Sequence, residues 1–187
     1  MKYLIVGLGN SGSDYENTRH NIGFNTLDAF AKASNVVFEP NRLADTASAK
    51  HKGRTLLLIK PTTYMNLSGK AVNYWMQAEK IPLERVLIIT DDIALPFGSL
   101  RLKGKGSDGG HNGLKNVNEV LGTQNYARLR FGVGNEFSKG SQVQYVLGKW
   151  DEEEAKTLPE RFEKCNQIIA AFTTNNLARV MSDFNGK

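Results

Sequence analysis

Val86-Leu-Ile-Ile89 is an unbroken run of branched apolar residues, closed by the polar trio Thr90-Asp-Asp92. A strand with one face in water alternates apolar with polar residues, so a continuous run reads as a strand covered on both faces. Such strands belong to sheets with helices packed above and below. Other strand-like runs are Tyr3–Val6, Thr55–Ile59 and Ala127–Val133. Helix-like segments fall between and after them, at Asn21–Ala33, Asn66–Glu79, Gly113–Leu121 and from about Asp151 onward. Ser99–Lys103 differs: Leu100 and Leu102 alternate with Arg101 and Lys103, the pattern of a half-exposed strand. The expectation is an α/β fold with a mixed central sheet flanked by helices, in one domain over residues 1–187. Near the end, Leu158, Phe162, Cys165, Ile169 and Phe172 recur at helical spacing. Asp151-Glu-Glu-Glu154 suits a helix start, and Pro159 predicts a late start or a bend.

The formal charge is +5, a mild excess consistent with an anionic partner but not diagnostic of one. Cys165 is the only cysteine, which excludes an internal disulfide and a cysteine-based zinc site. The apolar part of Met1–Val6 is too short for a signal peptide. No apolar run approaches the roughly 20 residues that span a bilayer. A cytoplasmic location away from the membrane is therefore expected.

Gly7-Leu-Gly-Asn-Ser-Gly12 follows a strand and matches the dinucleotide fingerprint. That fingerprint needs a helix starting inside the glycine run, so that its amides face a pyrophosphate. Here the next residues are polar and aperiodic, and a helix can start only near Asn21. Nucleotide binding is disfavoured. The glycines are expected to permit a tight strand exit and the close approach of a substrate.

Four polar islands interrupt the scaffold. The first holds Asn10, Tyr15, Arg19, His20 and Asn21; the second is Lys60-Pro-Thr-Thr-Tyr-Met-Asn-Leu-Ser-Gly69. The third is Thr90-Asp-Asp92 and the fourth Gly109-Gly-His-Asn-Gly113. Each lies at a strand exit or a helix entry, and such loops converge on one edge of an α/β sheet. Individually each has a structural reading, such as a helix cap for Asn66 or core filler for Met65. Together they offer a histidine able to take a proton near neutral pH, Asp91 or Asp92 to orient it, and neutral amides able to hold peptide groups. A metal cluster of His20, Asp91, Asp92 and His111 lacks the i, i+4 histidine pair of a helical zinc site. No Gly-x-Ser-x-Gly nucleophile elbow is present, and Cys165 lies on the apolar helix stripe. Arg101, Lys103 and Lys105 are spaced by two, as are Arg128 and Arg130, which suggests a phosphate-binding rim.

These stretches resemble the bacterial peptidyl-tRNA hydrolases. The likeness rests on Val6–Asn10, Tyr15–Gly23, Lys60–Gly69, Asp91 with Leu95-Pro-x-Gly98, Gly109–Lys115, Arg128–Gly134 and Tyr145–Gly148, in family order over nearly the whole chain. The resemblance implies a cofactor-free, metal-free monomer. It also implies hydrolysis of the ester joining a peptide to the 3′ ribose of tRNA, which recycles tRNA from abandoned translation. It assigns catalytic positions to His20 as general base, to Asp91 as its partner and to Asn10. Substrate contacts would come from Tyr15, Tyr64, Met65, Asn66, His111 and Asn112, and tRNA phosphate contacts from Arg101, Lys103, Lys105 and Arg130. Departures are Ser11 in place of a usual proline, Ala94 in place of an acidic residue, the added Asp108, and Asn135-Glu136 where proline is common. They bear on loop mobility and tRNA affinity. The rival from the residues alone is a non-catalytic RNA-binding module.

Overall fold

The computed structural model describes residues 1–187. Seven strands form one sheet in the order β2-β3-β4-β1-β5-β7-β6. β1 (Lys2–Gly7) lies between β4 (Arg54–Pro61) and β5 (Val86–Asp92), parallel to both, and β7 (Ala127–Gly132) runs parallel to β5. β2 (Glu39–Pro40), β3 (Ala44–His51) and β6 (Leu100–Lys103) pair antiparallel to their neighbours. The sheet is mixed, as expected.

The apolar run in β5 behaves as its composition demands. Leu87 and Ile89 enter one core with helices α1 (Ile22–Ala33), α5 (Glu152–Thr174) and α6 (Leu177–Phe184). Val86 and Ile88 enter a second core on the opposite face, with α2 (Ser68–Ala78) and α3 (Asn112–Leu121). All four side chains are fully buried, each stabilising the fold by about 1.5–3 kcal/mol. β1 divides its residues likewise, with Ile5 on one face and Leu4 and Val6 on the other. Four parallel strands with covered faces therefore deliver their C-terminal ends to one rim.

Gly7 and Gly9 serve a different purpose from part of that expected. A Cβ on Gly7 would lie 2.2 Å from the Gly23 carbonyl oxygen, and one on Gly9 would strike the Phe24 ring. The space over both is filled by α1, so they seat a helix rather than admit a ligand. The first turn of α1 begins at Ile22, which agrees with the late helix start that argued against a dinucleotide site.

Two other expectations change. α5 begins at Glu152 and continues through Pro159. Asp151 accepts a hydrogen bond from the Glu154 N–H at 2.8 Å while Glu154 accepts from the Asp151 N–H at 3.0 Å, and this reciprocal cap fixes the start well before the proline. Cys165 sits within the helix stripe as expected, and burial pushes its thiol up to about 12.

β6 is an edge strand, and its outer backbone groups are not left open. The Leu102 N–H donates to Asn185 Oδ1 at 2.8 Å and the Asn185 amide donates back to the Leu102 carbonyl at 2.9 Å. Asn185→Ala removes both bonds. It is expected to lower unfolding free energy by about 1–2 kcal/mol with no loss of activity, read by urea denaturation. An unchanged midpoint would show that water replaces the clasp without cost.

Candidate active site

Asp91 is the next-to-last residue of β5, the most buried strand, and is itself buried, with a 3% exposed side chain. Two imidazoles face it. His20, in the short 3₁₀ turn ahead of α1, brings Nδ1 within 3.0 and 2.9 Å of the two carboxylate oxygens. His111 brings Nε2 within 2.9 Å of Oδ1. A carboxylate can only accept, so both facing nitrogens carry the proton. His111 Nδ1 accepts the Gly113 and Leu114 N–H groups at 3.0 and 3.2 Å, capping α3 and fixing its tautomer independently. Neutral His20 therefore has its lone pair on Nε2, the nitrogen turned away from Asp91.

Electrostatics follow from this geometry. Burial disfavours the Asp91 anion, but the two imidazoles and their hydrogen bonds outweigh it and hold the carboxyl far below the usual range. Burial likewise works against the charged His20, yet the charge of Asp91 and its bond raise the imidazole above its ordinary 6.5.

The neighbouring amides are set with equal care. Asn21 clasps the Asn10 backbone, accepting its N–H at 2.8 Å and donating to its carbonyl at 2.9 Å. Asn10 Oδ1 accepts the Met65 N–H at 2.8 Å, which leaves the Asn10 amino group free to donate. Asn66 and Asn112 are exposed and line the same cavity, about 450 Å³ in volume, as do Tyr64, Met65 and His111. Gly113 lets Met65 approach, since a Cβ there would lie 2.8 Å from the sulfur. All four polar islands thus meet in one cavity.

Some expected residues stand elsewhere. Tyr15 does not line the cavity; it closes the turn Ser13–Tyr15. Arg130 lines it but is tied down, donating to the Ser107 carbonyl at 2.7 Å and facing Asp92 at 3.5 Å. Arg128 does not join a phosphate rim: it is fully buried, stacked on Tyr126, and holds the carbonyls of Gly106 and Gln124. Arg101, Lys103 and Lys105 are exposed. Arg19 points away from the cavity, donating to the Tyr145 carbonyl and to Glu154. It thereby ties down α4 (Gln142–Val146), which supplies the wall residues Val143 and Val146 and is followed by a third, Leu147. That apolar wall was not foreseen: five helical residues are too few to show a period.

His20, Asp91 and His111 are also the one group whose donors, within 4.8 Å of one another, could hold a metal. Their protonation does not suit one. An ion on His111 Nε2 would move its proton to Nδ1, against the two N–H groups it now accepts.

The family model for peptidyl-tRNA hydrolase matches residues 4–187. The chain belongs to the peptidyl-tRNA hydrolase family. A peptidyl-tRNA hydrolase of Phocaeicola vulgatus is 60% identical over 187 residues, the full length of both chains. One from Cytophaga hutchinsonii is 56% identical, again over both whole chains. The crystal structure of the Acinetobacter baumannii peptidyl-tRNA hydrolase superposes with a TM-score of 0.92 at 31% identity, covering 98% of this chain and 94% of that one. A uridine phosphorylase from Vibrio fischeri shares the fold only, with a TM-score of 0.53 at 11% identity. The mixed sheet and six helices are thus those of peptidyl-tRNA hydrolases.

Proposed function

We propose that residues 1–187 act as one catalytic domain, a metal-free monomer, that hydrolyses the ester between a peptide and the 3′ ribose of tRNA. The observation that carries this reading is the His20–Asp91 pair, with its free Nε2 facing a cavity ringed by amides. His20 Nε2 takes a proton from water as the oxygen attacks the ester carbonyl. The Asn10 amino group is placed to donate to the developing oxyanion. As the intermediate collapses, the His20 imidazolium returns the proton to the departing ribose oxygen. The products are a peptide carboxylate and a tRNA with a free 3′ hydroxyl. Asn66 and Asn112 hold peptide groups without reading side chains, which suits a substrate of variable sequence. Tyr64, 72% exposed at the cavity mouth, offers a face for the terminal base. Arg101, Lys103 and Lys105 present charge to the phosphates. No helix is long and apolar enough to cross a membrane, in keeping with a tRNA substrate. Recycling of tRNA in the cytoplasm is the role this chemistry serves.

The test is to offer N-acetylaminoacyl-tRNA and free aminoacyl-tRNA side by side. Cleavage of the blocked ester, with the free one spared, is the expected result. Binding without release of the acyl group would favour a non-catalytic RNA-binding module.

A pH profile is a second check. The base must be neutral to act, and the Asp91 carboxylate raises its pKa, so the single-turnover rate should climb through a pH above 6.5 and then level. A profile flat from pH 5.5 to 8.5 would remove His20 as the proton acceptor.

A further inference from the structure

A second cavity, about 360 Å³, opens beside the first, and Asn10 lines both. It lies toward the β3–β4 side of the sheet, between α1 and the strand pair, and its lining is almost wholly polar. Asp45 on β3 sits opposite Lys60 on β4 in the strand register, and Lys60 pairs with Asp28 of α1 at 2.6 Å. Glu16 adds a third carboxylate. Three carboxylates against one ammonium leave this cleft net negative by two. Asn25 donates to Asn17 at 3.1 Å, which leaves the Asn25 carbonyl and the Asn17 amino group open to a ligand.

The opposite edge of the sheet carries the reverse charge. There β6 exposes Arg101 and Lys103, followed by exposed Lys105. A polyanion is drawn to the β6 edge and repelled from the acidic cleft. Asn10, shared by both cavities, then offers a chain joined to that polyanion at the ester beside His20 a polar route onward into the second cavity. We infer that this cleft receives the peptide upstream of the ester-linked residue, and that its carboxylates favour a cationic side chain there. This rests on the reaction proposed above and adds the direction in which the substrate lies.

The experiment uses N-acetylated peptidyl-tRNAs carrying lysine, glutamine or glutamate at successive positions upstream of the ester, with N-acetylaminoacyl-tRNA as the shortest substrate. At one position at least, lysine should exceed glutamate in kcat/KM by about three- to ten-fold, an effect that shrinks with salt. The triple variant Glu16→Gln, Asp28→Asn, Asp45→Asn should lose or reverse that order. Its turnover of the shortest substrate, which does not reach the cleft, should match the unaltered protein and so report correct folding. Equal rates for lysine and glutamate at every position, or a preference that survives in the triple variant, would overturn the inference. Failure to cleave any of these esters would instead overturn the reaction itself.

Discussion

His20→Ala is expected to lower kcat on N-acetylaminoacyl-tRNA by about 10²–10⁴-fold, the range that a positioned general base contributes. KM should move little, because the amides of Asn10, Asn66 and Asn112 and the basic edge remain. The side chain is 14% exposed, so its truncation opens space onto the cavity rather than a void in either core. Stability should therefore be nearly preserved, and tRNA binding measured by filter retention should be unchanged. Activity within three-fold of the unaltered protein would mean that another group takes the proton.

Asp91→Asn is expected to be nearly as damaging, for a reason that can be separated from loss of the base. The amide is close in shape to the carboxylate, and its oxygen can still accept the His111 Nε2–H. Its amino group then faces His20 Nδ1, which must turn acceptor, and the proton moves to Nε2. The nitrogen facing the cavity becomes a donor and cannot remove a proton from water, a loss of about 10²–10⁴-fold in kcat. With the anion gone, the charge that raised His20 is gone too, so any residual pH inflection should move down. An unchanged rate and inflection would show that Asp91 only fills space. Asp91→Ala is a poorer probe. It leaves the His111 N–H unpaired in a buried site, and its effect on folding would mask its effect on the reaction.

Much of this arrangement was legible because its signals are local. The run Val86–Ile89 has no solvent-facing alternation, and that dictated a strand covered on both sides. Polar loops at the exits of such strands have one rim to share, which brought Asn10 and His20, Asn66, Asp91 and His111 together from four places in the chain. What stayed hidden depends on contacts distant in sequence. β3, with Ala44, Ala47 and Ala49 as its buried residues, is built from poor strand formers and is held by its pairing with β4. α6 looked like an extension of the preceding helix until Asn176, capping the Arg179 N–H, separated the two. Arg128 and Arg130 share a strand face in sequence terms, yet neighbouring carbonyls claim both terminal nitrogens of Arg128 and one of Arg130. Spacing alone cannot tell an arginine that faces water from one that ties a loop to its sheet. The double role of His111, cap of α3 and partner of Asp91, was equally out of reach, since it needs the loop Gly109–His111 folded back over β5.

The most direct measurement is the protonation state of His20 itself, followed by nitrogen NMR on protein labelled in its histidine rings. Above its titration, His20 should show a protonated Nδ1 and a bare Nε2. The midpoint should lie above 6.5 and coincide with the rise in single-turnover rate. A proton found on Nε2 in the neutral ring, or a midpoint that does not track the rate, would contradict the account.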